Sequence, residues 1–234
     1  MGCVGEMRNI VLCGKGSLCV KIFEWLLADP VNYSILSFVP TTEQTGILDD
    51  WDHAHRLLQM LCAKNGVKYI NSGLLRDAFL ANQVGANQNV EVISCFYKKI
   101  ISAEEIATAK RIINVHFSDL PKYRGARGIN WALKNGEKFQ GVTIHQVDEK
   151  LDHGPIYAQA KFEIFPERME VIDVYKQCLE YAFILFKNTF PDIESIAPRE
   201  QNHAESTYYS SADFERLGDR ITFHRHCSHG GVDK

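Results

Sequence analysis

A chain of 234 residues, 45% hydrophobic and 24% charged, is long enough to bury a full core and reads as one sizeable globular domain with room for a small appendage. A net charge of −3 and a pI near 6.3 give no global attraction to polyanions, so nucleic acid is not an expected partner. Seven cysteines without a Cys-x-x-Cys pair suit a reducing cytoplasm, and with no apolar run of about 18 residues and no signal-peptide pattern near Met1 neither export nor a membrane is expected.

In chain order, Asn9 to Cys13 (NIVLC) is the first expected strand, and Gly14-Lys15-Gly16-Ser17 its turn into an amphipathic helix through about Leu27. A strand, a glycine turn and a helix N-terminus can together hold an anion on backbone N–H groups. Only two glycines of a dinucleotide fingerprint are present, so two readings stand. The turn is either a plain tight connection or a contact to a substrate phosphate, with Lys15 the residue to watch. Tyr33 to Thr41 is a second strand and Trp51 to Lys64 a helix, in which His53 and His55 face different sides and do not form a joint metal site. Val67 to Ile70 makes a third strand, Leu74 to Gln83 a helix, and Val90 to Ile101 (VEVISCFYKKII) a long fourth strand.

Strands alternating with helices predict an α/β fold, a Rossmann-like doubly wound and mostly parallel sheet, in which ligands bind beyond the strand C-termini. Arg111 to Phe117 (RIINVHF) is the next buried strand. Asn114 and His116 stand two residues apart on it and project from one face. Past it, the loop Glu149 to Pro155 ends in Gly-Pro and carries Asp152, a carboxylate able to close onto that imidazole. A base, a neutral donor for a developing oxyanion and a group that holds the base are what carbonyl transfer to an amine requires. His116, Asn114 and Asp152 match those roles in that order. Between them, Tyr123-Arg124-Gly125 with Arg127 forms a loop in which an arginine fork could hold a phosphate or carboxylate. Gly141 to Val147 and Pro155 to Ile164 alternate as strands. His145, inside the former, is read as a core or hydrogen-bonded histidine, and no Cys/His cluster points to a metal.

Val171 to Phe190 is an apolar amphipathic helix suited to packing on the sheet or to a dimer seam. From Pro191 the chain turns polar, and Tyr208 to Lys234 is expected to be partly ordered at best near its end, a solvated tail in which His224, His226 and His229 could bind adventitious metal. The chain thus divides into a core over residues 1–165 and a C-terminal helix and tail over 166–234.

Asn114-Val115-His116, Ser118-Asp119-Leu120-Pro121, Tyr123-Arg124-Gly125, Gly136-Glu137, Gly141-Val142-Thr143-Ile144-His145 and Asp152-His153-Gly154 resemble the signature of the 10-formyltetrahydrofolate-dependent formyltransferases, with Asp119 standing where that pattern has Leu. The resemblance is dense over about residues 90 to 165. It implies the formyltransferase fold with a short C-terminal extension, Asn114, His116 and Asp152 as catalytic residues, and 10-formyltetrahydrofolate as cosubstrate without a metal. It further implies a folate pocket along Tyr97, Lys98 and Ile100 and along Asp148, Lys150 and Leu151, with Lys15, Tyr123 and Arg124 as substrate contacts. About 40 residues follow Phe190, too few for the further C-terminal domain of the transfer-RNA members. Asn130 to Glu137 and Leu151 to Ile156 look like the branch acting on nucleotide-linked amino sugars. The expected protein is a cytoplasmic, homodimeric N-formyltransferase serving surface-polysaccharide precursors such as O-antigen. Formylation of glycinamide ribonucleotide or methionyl-tRNA, and hydrolysis of formyltetrahydrofolate, stand as alternatives.

Overall fold

A computed structural model describes residues 6–41, 49–85 and 89–217. The chain forms two compact units interleaved in sequence: Met1–His116 with His145–Gly154, and Phe117–Ile144 with Pro155–Lys234. The expected division at residue 165 therefore falls inside the second unit. His224, His226 and His229 lie outside the described residues.

The first unit alternates strand and helix: β1 (Arg8–Gly14), α1 (Gly16–Leu27), β2 (Tyr33–Pro40), α2 (Asp49–Asn65), β3 (Lys68–Tyr69), α3 (Leu75–Ala81), β4 (Val90–Cys95), α4 (Ala103–Thr108) and β5 (Arg111–His116). The strands pair in the order β3-β2-β1-β4-β5, each neighbouring pair parallel. Near-continuous apolar strands are what a parallel sheet covered on both faces needs. Val11, Cys13, Val39, Val90, Val92 and Ile112 supply its core together with Leu75, Ala78 and Phe79 of α3. Leu18, Cys19, Ile22, Phe23 and Leu26 recur at helical spacing on α1 and are fully buried. Glu91 is a charge buried against this sheet. Glu91 of β4 accepts Arg8 Nε at 2.6 Å and Arg8 Nη2 at 2.9 Å, and Arg111 Nη1 of β5 at 2.9 Å, so three hydrogen bonds offset its desolvation.

The fourth strand is shorter than its apolar run suggests. It ends at Cys95 because Phe96 takes a left-handed φ of 59°, and the Thr41 hydroxyl donates to the Phe96 carbonyl at 3.1 Å, where a ladder bond would otherwise run. The chain then enters α4, which pattern reading missed. Its Ser102 accepts from the Glu105 N–H at 3.3 Å while the Glu105 carboxylate accepts from the Ser102 N–H at 2.8 Å, a reciprocal capping box.

The second unit holds β6 (Arg124–Gly125), α5 (Gly128–Lys134), β8 (Ile156–Glu163), α6 (Val171–Thr189) and β9 (Tyr208–Tyr209); β7 (Phe139–Gln146) begins in it and its last two residues belong to the first. On α6, Val171, Val174, Tyr175, Cys178, Ala182 and Phe186 form the buried stripe that the sequence spacing predicts. Phe117 packs against Tyr175 with ring centroids 5.9 Å apart. Asp119, the departure from the family pattern, ion-pairs with Lys161 at 2.6 Å.

The segment from Tyr208 departs from the expected solvated tail. β9 pairs with β6, and a 3-10 turn follows over Ser211–Leu217. The Tyr209 ring stacks on Trp131 at 4.0 Å and on Tyr123 at 5.9 Å, and the Arg127 guanidinium lies 3.8 Å from the centroid of Phe214. Aromatic stacking and cation–π contact hold this segment, neither of which hydropathy detects. Among the described residues, no helix is long and apolar enough to cross a membrane.

Candidate active site

Parallel register fixes the first part of the site. Ser94 of β4 is the pairing partner of Asn114 on β5. Its hydroxyl donates to Asn114 Oδ1 at 2.9 Å, which turns the amide so that Nδ2 faces away from β4. His116, two residues on, shares that face of β5.

His145, near the end of β7, is buried, and its Nδ1–H donates to the Gln146 carbonyl at 2.8 Å. That bond fixes the tautomer and leaves a lone pair on Nε2, which accepts from Asn114 Nδ2 at 3.2 Å.

Asp152 completes the group from the loop that follows. It adopts a left-handed φ of 49° and its carboxylate is buried. The loop is held in that shape from both sides. Asp148 accepts the Lys150 N–H at 2.9 Å and contacts His153 Nδ1 at 2.7 Å, while a Cβ on Gly154 would collide with the Gln146 carbonyl oxygen. Asp152 Oδ1 consequently lies 3.3 Å from Asn114 Nδ2, 3.5 Å from His145 Nε2 and 3.7 Å from His116 Nδ1. One buried carboxylate oxygen thus has an amide and two imidazoles around it, and the two imidazole rings stand edge to face with centroids 6.4 Å apart.

The three residues expected to act together therefore converge in the first unit, and His145, read from sequence only as a core or hydrogen-bonded histidine, bonds directly to one and borders the other two. Ser94 was missed altogether. Its signal was the single hydroxyl in the run VEVISC, level with Asn114 once the two strands are paired.

The positions expected to line a folate pocket belong to the same unit. Ile100 and Leu151 expose their apolar side chains, at 88% and 56%, and Lys98 and Lys150 are exposed. The Tyr97 hydroxyl points elsewhere. It donates to the Gly73 carbonyl at 3.0 Å and accepts from the Leu75 N–H at 3.2 Å, and burial raises its pKa above the ordinary tyrosine value, with smaller help from nearby Cys13. Any contact from Tyr97 to a ligand is thus left to its backbone or ring edge.

Of the expected substrate contacts, Lys15 is the N-cap of α1. It is buried, and its backbone N–H donates to the Cys95 carbonyl at 3.1 Å, tying the glycine turn to the end of β4. Tyr123 and Arg124 belong to the second unit. Arg124 is buried and donates through Nε and Nη2 to Gln201 Oε1, at 3.2 and 2.6 Å, and through Nη2 to His203 Nδ1 at 2.8 Å. The Tyr123 hydroxyl donates to Glu137 at 2.7 Å and accepts from Asn135 at 3.2 Å; burial, partly opposed by the Asn135 bond, holds its pKa above the usual value. Both side chains thus have protein partners that the expected ligand contacts would have to share or replace.

A neutral amide with N–H bonds to give, an imidazole at the edge of a buried carboxylate and a second imidazole of fixed tautomer form a set able to stabilise an oxyanion and relay one proton. Among the described residues no group of three or more His, Cys, Asp or Glu is arranged to hold a metal ion.

Comparison with known proteins points the same way. The model of the formyl transferase family matches residues 7–186. A methionyl-tRNA formyltransferase of Deinococcus radiodurans is 36% identical over 117 residues, which is 50% of this chain and 36% of that protein, so the chain spans about a third of that relative's length. The solved structure of WlaRD, described as a sugar 3N-formyl transferase in the presence of dTDP and 5-N-formyl-THF, is 25% identical with a TM-score of 0.72, over 89% of this chain and 72% of that one. An N-formyltransferase from Helicobacter canadensis, solved in complex with folinic acid and dTDP-3-aminofucose, is 26% identical with the same TM-score of 0.72, over 88% and 72%.

Proposed function

The chain belongs to the formyl transferase family, and from that premise we propose that it moves the formyl group of 10-formyltetrahydrofolate onto the amino group of a nucleotide-linked amino sugar. The observation that carries the proposal is the meeting of Asn114, His116 and Asp152 around one carboxylate oxygen. The acceptor class draws on the two solved relatives, both named for N-formyl transfer and one of them holding a dTDP-linked amino sugar.

In this reading the neutral amine attacks the formyl carbon. Asn114 turns an N–H toward the oxyanion, and protonated His116 stabilises the same charge. The bond from carbon to the sugar nitrogen forms and the bond to N10 of the folate breaks. As the tetrahedral intermediate collapses, protonated His116 gives its proton to N10 and then, as a neutral base, takes the proton that leaves the amine, so the imidazolium is restored. Asp152 stabilises the imidazolium in transit, a role its 3.7 Å separation from His116 Nδ1 allows after a closure of less than 1 Å into hydrogen-bond range. The folate lies against the segments Tyr97 to Ile100 and Asp148 to Leu151, where Ile100 and Leu151 offer exposed apolar surface to a pterin. Lys15, Tyr123 and Arg124 serve the acceptor, the last two only after exchanging present partners. The product fits surface-polysaccharide precursors.

A second acceptor has one observation behind it. The D. radiodurans relative, at 36% identity, is a methionyl-tRNA formyltransferase. One panel separates the readings: purified protein with 10-formyltetrahydrofolate and, in turn, dTDP-, UDP- and GDP-linked amino sugars, glycinamide ribonucleotide and methionyl-tRNA, with tetrahydrofolate formation and acceptor mass followed together. A formylated nucleotide sugar is the expected result. Formylation of methionyl-tRNA alone selects the second reading, and formate release without a formylated acceptor identifies a hydrolase.

A further inference from the structure

We infer that Ser94 is a positioning residue for the reaction, acting through Asn114; the inference rests on the formyl-transfer reading above. Ser94 lies on β4 and Asn114 on β5, and sheet register brings them level. Ser94 is buried, and its hydroxyl donates to Asn114 Oδ1 at 2.9 Å.

The reason it matters is the hydrogen-bond count of the Asn114 amide. A primary amide has two N–H donors and one carbonyl acceptor. Nδ2 is directed at His145 Nε2, 3.2 Å away, and at Asp152 Oδ1, 3.3 Å away, so both donors have acceptors in this state. To meet a developing oxyanion, Asn114 must give up at least one of them. The Ser94 bond is the shortest of the three and lies on the end of the amide that does not change partner. It anchors Oδ1 while Nδ2 exchanges acceptors.

It also does chemical work. A donor on an amide oxygen draws electron density from the nitrogen and makes the N–H groups better donors, as in any hydrogen-bonded chain. Ser94, Asn114 and the oxyanion would form such a chain. Without the hydroxyl, Oδ1 is left at a part-buried position without this donor, and the amide loses the contact that distinguishes its two ends on the β4 side.

The test is a double-mutant cycle with a spectroscopic arm, using 10-formyltetrahydrofolate with dTDP-3-aminofucose as the probe acceptor. Ser94→Ala should lower kcat about 10-fold, the loss of one part-buried hydrogen bond, with KM for the folate changed no more than about twofold. In an Asn114→Ala background the same change should add less than about twofold, because the residue through which Ser94 acts is gone. In protein labelled with ¹⁵N at asparagine, the Asn114 side-chain amide signals, assigned by their absence in Asn114→Ala, should move in Ser94→Ala, while the thermal melt shows the variant folded. Wild-type turnover by Ser94→Ala, or losses that multiply in the double variant, overturns the positioning role. An unmoved Asn114 side-chain signal overturns it even if this acceptor is not turned over. Wild-type turnover by Asn114→Ala instead overturns the formyl-transfer assignment of Asn114, a separate failure.

Discussion

Asp152 shows how one residue is placed by several local constraints. A left-handed aspartate is uncommon, and here it is enforced by the Asp148 turn before it and by Gly154 after it, whose missing side chain lets the loop lie against the Gln146 carbonyl. The outcome is a carboxylate oxygen within 3.7 Å of two imidazoles and an amide. Its proposed use in catalysis depends on charge rather than shape. Asp152→Asn keeps the volume and the loop but removes the partner for a protonated His116, so turnover should fall on the order of 10²-fold while the thermal midpoint stays near the wild type. Steady-state kinetics beside a thermal melt distinguishes this from a packing defect: parallel loss of activity and fold would assign Asp152 to structure alone.

At the scale of elements, the turn from β1 to α1 carries the first unit. Gly14 has φ of +133°, and a Cβ there would collide with the Cys95 carbonyl oxygen, which is itself bonded to the Lys15 N–H. Gly14→Ala should therefore destabilise the protein by about 2 to 4 kcal/mol through backbone strain and displacement of β4, measured as a lower denaturant midpoint; an unchanged midpoint would show that the turn relaxes freely. The same scale shows what the sequence makes legible. Buried strands and amphipathic helices have a local signature, so β1, β2, β5, β7, α1 and α6 follow from pattern. The end of β4 does not, because the run VEVISCFYKKII stays favourable for a strand while the turn at Phe96 is held by bonds from distant residues, among them that from Thr41, 55 residues away. The strands β6 and β9 are two residues each and exist through pairing across 84 positions, with no periodicity to read. Arg124 is legible as a cation in a loop, whereas its engagement by Gln201 and His203 is not. The helix α4 was legible in principle: Ser102 and Glu105 spell a capping box, but the helix buries no residue and lacks an apolar stripe.

For the whole molecule, the proposed catalytic group lies in the first unit, where Ser94, Asn114, His116, His145 and Asp152 all belong to one compact body although Asn114 and Asp152 are 38 positions apart in sequence. Two stretches of chain, one ending at His116 and one beginning at His145, return to the same place, and the motifs between them build the second unit. Asn114 and His116 were readable as a pair from strand periodicity and Asp152 as a loop carboxylate. Their convergence needed the fold. The direct measurement of this account is formyl transfer from 10-formyltetrahydrofolate by the wild type and Asn114→Ala, with tetrahydrofolate formation and the mass of the amino-sugar acceptor followed in one assay. The account predicts one formyl group gained per folate released in the wild type, and a rate lower by about 10²-fold or more in the variant with folate binding retained. Equal rates in the two proteins would contradict it.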